Sequence, residues 1–93
     1  DAEAPARLAL LQGQLLSEAA QWVAPGGSLT YSVCTLTRAE TLAVAARFAS
    51  DHPDWTPVPP PGTPWIEWGT GALLLPQTAE TDGMAVFTWK APA

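Results

Sequence analysis

Positive charge is scarce in this chain of 93 residues: four Lys and Arg stand against nine Asp and Glu, for a formal net charge of −5. Arg7, Arg38, Arg47 and Lys90 form no run. Binding to nucleic-acid phosphate depends on neutralisation by Lys and Arg, so most of any affinity for RNA would have to come from other parts of a larger molecule. Cysteine is nearly absent as well. A single Cys34 supports no internal disulfide framework, and with one histidine there is no spacing for a structural zinc. No apolar segment approaches the ~20 residues that span a bilayer, and no basic start leads an apolar run to a cleavage site. These absences predict a soluble, cytoplasmic protein with no metal and no membrane partner. Methionine occurs once, at Met84, and the first residue is Asp1, which predicts an excised or processed piece.

Apolar side chains are plentiful. A hydrophobic fraction of 47% with five tryptophans offers ample surface to offset conformational entropy and argues against disorder. The length allows one domain at most, with a core small enough to leave only a few kcal/mol of stability.

From Pro5 to Val23, Leu8, Leu11, Leu15, Ala19 and Trp22 recur at spacings of three or four. That spacing predicts an amphipathic helix buried along this stripe, with Leu16, Ala20 and Val23 widening it. Asp1 and Glu3 suit its positive end and Pro5 its first turn; Pro25 and Gly26-Gly27 stop it. Residues 28–36 read as a strand with Leu29, Tyr31 and Val33 on one face and Thr30, Ser32 and Cys34 on the other. Neither face is charged, which predicts burial on both sides. Thr37 and Glu40 have the spacing of a capping box for a helix over 38–50, with Leu42, Ala45, Phe48 and Ala49 as its apolar stripe. Asp51-His52-Pro53 ends it.

Residues 55–58 suit a short second strand. The run Pro59-Pro60-Pro61-Gly62 is then a stiff loop unable to enter a central sheet. Residues 62–83 are poorly patterned, with a brief apolar run at Leu73-Leu74-Leu75, and read mainly as loop. Met84 to Trp89 alternates after an Asp82-Gly83 turn and reads as the last strand. The strand at 28–36, the helix at 38–50 and the strand near 55–58 form one βαβ unit. The leading helix has no strand before it.

The stretches "LLSEAAQWVAPGGSLTYSVCTLTRAET", "HPDW" and "LLLPQTAETDGMAVFTWK" resemble, in order, the C-terminal part of the Sun/RsmB family of RNA (cytosine-5)-methyltransferases. The resemblance covers nearly the whole chain, and its most specific elements are "YSVCTL" followed by Thr-x-x-Glu, and the late "TDGM". It implies an α/β fold: the C-terminal half of a Rossmann-like methyltransferase fold, in the order helix-strand-helix-strand-strand. The last strand would lie antiparallel between the 28–36 and 54–58 strands. It further implies an S-adenosylmethionine-dependent enzyme, directed to rRNA, in which Cys34 is the catalytic nucleophile. Carbon 5 of cytosine is a poor nucleophile until a thiolate adds to C6 and makes the ring enamine-like. A helix capped at Thr37 would set the positive end of its dipole near that sulfur, and open α/β sheets place their sites beyond the carboxyl ends of their strands. The family usually has Thr immediately before this cysteine; here it is Val33.

The family's Gly-rich cofactor loop, its ribose-binding acidic residue and its second Pro-Cys motif have no counterparts in these 93 residues. The expectation is therefore that residues 1–93 form a C-terminal fragment of a methyltransferase catalytic domain. The S-adenosylmethionine-binding half would be absent, and the isolated chain inactive. The free edge of the 28–36 strand predicts dimerisation or strand exchange of the isolated fragment.

Each residue has a plainer reading. A lone cysteine in an apolar strand is commonly a small buried hydrophobe. His52 reads as a helix stop before it reads as a base, and Asp82 as a turn residue before a site carboxylate. Trp55, Trp65 and Trp68 could stack on bases, but with so few cations beside them packing is preferred. Pro25-Gly26-Gly27 leads into a strand, so it is turn chemistry and not a phosphate loop. Two other readings stay open: a methyltransferase acting on a small molecule or protein, which would have no need of the Cys34 thiol, and a non-catalytic α/β interaction module.

Overall fold

A computed structural model describes residues 4–34, 38–60, 62–63, 65–74 and 83–93. The elements in chain order are α1 (Ala4–Ala20), β1 (Ser28–Val33), α2 (Leu42–Asp51), β2 (Thr56–Pro57), β3 (Ile66–Trp68), β4 (Gly71–Leu74) and β5 (Met84–Lys90). Strand β5 owes its form to the alternation at the end of the chain. Ala85, Phe87 and Trp89 are buried on one face, while Met84, Val86 and Thr88 are half-buried on the other. It pairs antiparallel with β1 along one side, from Ser28↔Lys90 to Val33↔Ala85. Along its other side it pairs with β4 at one end and with β2 at the other, again antiparallel.

Strands β1 and β2 therefore run parallel to each other with the last strand inserted between them, as expected, and α2 links them as a βαβ unit. The sheet order is β1-β5-β4-β3, with β2 also on β5. Both helices contribute to one core with the sheet. Leu16 and Ala20 of α1 and Val44, Ala45 and Phe48 of α2 cluster with Tyr31, Leu73, Ala85, Phe87 and Trp89. An aromatic pile fills its centre: Phe48 lies 4.5 Å from Trp89 and meets Trp55 edge-on at 5.5 Å.

Five expectations are corrected. Strand β1 is covered on one face only: Thr30 and Ser32 are exposed opposite buried Tyr31, and Thr30 meets Thr88 through hydroxyls 3.0 Å apart. Helix α1 packs through Ala9, Leu16 and Ala20, leaving Leu8, Leu11, Leu15 and Trp22 exposed; its apolar surface is wider than one neighbour can cover. Helix α2 begins at Leu42, not 38, and Thr41 at its N-cap makes no side-chain capping bond; Thr37 lies outside the described residues. Its buried stripe contains Val44 in place of Ala49.

The stretch read mainly as loop holds the β3–β4 hairpin. Its register runs from Ile66↔Leu73 to Trp68↔Gly71, and its two-residue loop is Gly69-Thr70, with Gly69 at φ 60°. Gly71 packs against β5 so closely that a β-carbon would lie 2.2 Å from the Val86 carbonyl oxygen and 2.5 Å from Phe87 Cδ1. By contrast Gly62 has open space around it. Replacing Gly71 with Ala should cost about 1–3 kcal/mol through overpacking, whereas Gly62→Ala should leave stability within about 0.5 kcal/mol. Urea denaturation of the two variants checks this, and equal midpoints would refute the close approach of β4 to β5.

Candidate active site

Residues Ser28 to Val33 form a strand because Leu29, Tyr31 and Val33 alternate with the small polar Ser28, Thr30 and Ser32 on a half-covered surface. Cys34 is the first residue beyond that strand, and its thiol is free and exposed. The plainer reading, a buried hydrophobe, therefore does not hold. Val33 pairs with Ala85, so one step further brings Cys34 level with Met84, whose partner on the other side is Leu74. The carboxyl ends of β1 and β4 and the start of β5 thus share one rim with Cys34. Gly83, buried at φ 94°, makes the entry into β5, where a left-handed backbone favours glycine. Asp82 lies outside the described residues.

The other candidates are not gathered there. His52 sits at the far end of α2, where its ring stacks on Phe48 at 4.4 Å and its Nε2 lies 3.1 Å from the Ser17 hydroxyl oxygen. Its backbone N–H donates to the Phe48 carbonyl at 2.8 Å, the bond of a helix stop. Trp55 packs against the core, and so does Trp68, whose indole N–H donates to Thr41 Oγ1 at 2.8 Å. Trp65 is half-buried beside them in sequence, without a ring contact among the described residues. Trp55 and Trp68 serve packing. At Pro25-Gly26-Gly27 the turn reading also holds: Gly26 adopts φ 75° and donates to the Pro92 carbonyl at 3.0 Å.

The first turn of α2 lies over the β3–β4 hairpin, since a β-carbon on Gly69 would sit 2.6 Å from Leu42 Cδ2. The helix does not open directly behind Cys34, and helix-dipole effects are confined to the terminal turn. What lies beside α2's entrance is a cluster that sequence reasoning missed. Arg38 stands over the Trp68 ring at 5.3 Å, and Thr41, fully buried, accepts the Trp68 indole bond. Nothing in the local pattern links Thr41 to a tryptophan 27 residues away.

Tyr31 ties the strand to the same entrance. Its hydroxyl donates to the Glu40 carbonyl at 2.6 Å. Burial, with a smaller contribution from the Glu40 charge, pushes the phenol up from 10.0 to about 12. The neutral phenol is favoured in the folded chain, so this contribution to stability is complete below about pH 10 and is lost as pH rises through about 12. Tyr31 is the one tyrosine present, and tyrosinate absorbance should show a midpoint near 12 in the folded protein and near 10 in urea. A folded midpoint near 10 would contradict the buried setting.

The described residues do not fit a methyl donor such as S-adenosylmethionine. The β1-to-α2 connection has no glycine that would let a backbone approach such a ligand, and Gly26-Gly27 lies on a helix-to-strand turn. Among the described residues no group of His, Cys, Asp and Glu could hold a metal ion, and no helix is long and apolar enough to cross a membrane.

Two parallel strands around an inserted antiparallel one, with helices on one face and an exposed cysteine on the carboxyl rim, form part of a Rossmann-like methyltransferase fold. The profile of the family described as 16S rRNA methyltransferase RsmB/F matches residues 2–90, and the chain belongs to that family. It is 46% identical over 76 residues to "Ribosomal RNA small subunit methyltransferase B" of Thermus thermophilus, covering 81% of this chain and 19% of that protein. It is 36% identical over 88 residues to "Probable ribosomal RNA small subunit methyltransferase B" of Bacillus subtilis, covering 87% and 20%. A mitochondrial "tRNA (cytosine(34)-C(5))-methyltransferase" of Danio rerio is 43% identical over 47 residues, covering 50% and 13%. The chain thus spans about a fifth of the length of the first two relatives.

Proposed function

We propose that residues 1–93 are the C-terminal part of the catalytic domain of an S-adenosylmethionine-dependent RNA (cytosine-5)-methyltransferase that acts on ribosomal RNA, with Cys34 as its nucleophile. One observation carries the reading: in a chain of the RsmB/F family, the single cysteine is free, exposed and first beyond β1 on the carboxyl rim. The names of the Thermus thermophilus and Danio rerio relatives supply the ribosomal substrate class and the cytosine C5 position respectively.

In this reading the Cys34 thiolate donates an electron pair to C6 of the target cytosine. The C5–C6 double bond is consumed and electron density moves onto C5, which takes the methyl group; loss of the C5 proton then restores the double bond and expels Cys34 as the thiolate. The thiol suits this step because thiolates are far stronger nucleophiles than hydroxyls near neutral pH. S-adenosylmethionine would supply the methyl group, held by parts of the protein outside these residues. The chain's own share is to hold the sulfur at a rim where a flipped base could lie across the sheet. The net charge of −5 assigns the phosphate contacts to other parts of the protein as well.

Replacing Cys34 with Ser in the full-length protein should reduce methyl transfer to cytosine C5 by about a thousandfold or more, as expected for loss of a nucleophile. RNA binding should be unchanged. Transfer of labelled methyl groups into RNA, read beside a filter-binding assay, measures both. Retained transfer by Cys34→Ser would overturn the assignment.

A further inference from the structure

The entrance to α2 is held by more than a helix start requires. Thr41 is the N-cap, and its carbonyl accepts the first helical bond, from the Ala45 N–H at 3.0 Å. A threonine at this position ordinarily turns its hydroxyl onto the free N–H groups of the first turn. Thr41 makes no such bond. Its side chain is instead fully buried and accepts the Trp68 indole N–H at 2.8 Å, from a residue 27 positions away. A residue that gives up its local role for a distant partner marks a place where function or strain overrides local preference.

Trp68 belongs to the β3–β4 hairpin, and the hairpin touches the entrance at three points. The indole N–H reaches Thr41, and the Arg38 guanidinium stands 5.3 Å from the centre of the Trp68 ring. Gly69 lies so close to Leu42 that a β-carbon would sit 2.6 Å from Leu42 Cδ2. The hairpin is itself fixed to the middle of the sheet, since β4 pairs with β5 and Gly71 abuts Val86 and Phe87. It therefore passes the rigidity of the sheet to residues 38–42.

Those residues lie just downstream of Cys34, with three positions between it and Arg38. Upstream of the thiol the chain is set by β1, where Val33 pairs with Ala85. Downstream the Arg38 carbonyl accepts from the Thr41 and Ala43 N–H groups at 3.4 and 2.9 Å. Tyr31 then ties the turn back to β1 by donating to the Glu40 carbonyl at 2.6 Å. Tyr31 secures the turn from the nucleophile's own strand, and Trp68 secures it from across the sheet. An exposed thiol has no enclosing core to orient it, so its direction depends on how firmly the chain on both sides is held.

We propose that Trp68 is a positioning residue for methyl transfer: through Thr41 and Arg38 it clamps the chain that leaves Cys34, and so fixes the sulfur for attack on the base. This rests on the reading of Cys34 as the nucleophile. Trp68 itself exchanges no proton or bond with the substrate.

The test measures methyl transfer to RNA by the full-length protein, with kcat taken per folded molecule. Trp68→Phe keeps a ring under Arg38 and removes the indole N–H, whereas Thr41→Val keeps the branched shape and removes the acceptor. Each should lower kcat about tenfold to a hundredfold and leave the KM for RNA within about twofold, as misplacement of a reacting group does. The double variant should lose no more than either single one, because both remove the same bond. Thr41→Ser retains the hydroxyl and should keep kcat within about threefold. Trp55→Phe, the same change at the far end of α2, should lower the urea midpoint and leave kcat unchanged. Independently of activity, the Ala43 amide should exchange hydrogen about tenfold faster in Trp68→Phe, while the β5 amides keep their protection. Unchanged kcat in folded Trp68→Phe and Thr41→Val would overturn the inference, as would additive losses in the double variant, an equal kcat loss in Thr41→Ser or Trp55→Phe, or unchanged exchange at Ala43. A raised KM at constant kcat would also overturn it and assign Trp68 to RNA contact. The functional reading fails separately. Retained transfer by Cys34→Ser defeats that reading whatever Trp68 does, and inactive Cys34→Ser beside fully active Trp68→Phe defeats the positioning inference alone.

Discussion

The pairing of β5 with three other strands is the interaction on which the fold depends. Strands β1, β2 and β4 each hydrogen-bond to it, and only β3 is held indirectly, through β4. Because all three run antiparallel to β5, their carboxyl ends face the same way. The β1 rim with Cys34 and the end of β4 are therefore set level with Met84 by register alone. The same register sends Ala85, Phe87 and Trp89 toward the helices, where Phe48 and Tyr31 meet them. Removing β5 would divide the sheet and open the core in one step.

The separation between the two ends of the sheet follows from this arrangement. One end is chemically plain: Phe48 and Trp89 are buried against each other, His52 stacks on Phe48, Trp55 meets it edge-on, and the imidazole lies against Ser17. The other end leaves a thiol in the open. Exposing the single cysteine gives up the burial that this residue type usually contributes, whereas Trp55, Trp68 and Trp89 pack in or against the core. A chain with four cations and a net charge of −5 offers RNA little electrostatic attraction. The proposed share of this chain, a placed thiol on a sheet rim, leaves RNA binding to other parts of the protein, and the chain covers about a fifth of its relatives' length.

Much of this was legible in the residues. The alternation from Met84 to Trp89 specified both the strand and its buried face, and Pro25-Gly26-Gly27 specified the turn into β1. The antiparallel place of β5 came from family resemblance and agrees with the register. Other features depend on partners that a local pattern does not contain. Periodicity showed that α1 is apolar, but with leucine or alanine at 8, 9, 10, 11, 15 and 16 it could not say which overlapping stripe meets the core. The hairpin at 66–74 was hidden because its strands are short, although Gly69-Thr70 between Trp68 and Gly71 was a usable turn signal. An uncharged pair of faces suggested that β1 is covered twice, yet Thr30 and Ser32 lie on an open face, where the Thr30 hydroxyl meets that of Thr88. The capping spacing of Thr37 and Glu40 misplaced the helix start, because the entrance to α2 is built by Thr41, Trp68 and Tyr31 from three different elements.

A nucleophilic Cys34, as proposed, forms a covalent bond from the sulfur on this rim to the base, and that bond can be trapped. Full-length protein would be incubated with S-adenosylmethionine and RNA carrying 5-fluorocytosine, whose fluorine blocks proton loss from C5, and then digested for peptide mass mapping. A stable protein–RNA adduct with the nucleotide mass on Cys34 is expected. An adduct mapped to another residue, or none from folded protein that methylates unmodified RNA, would contradict it.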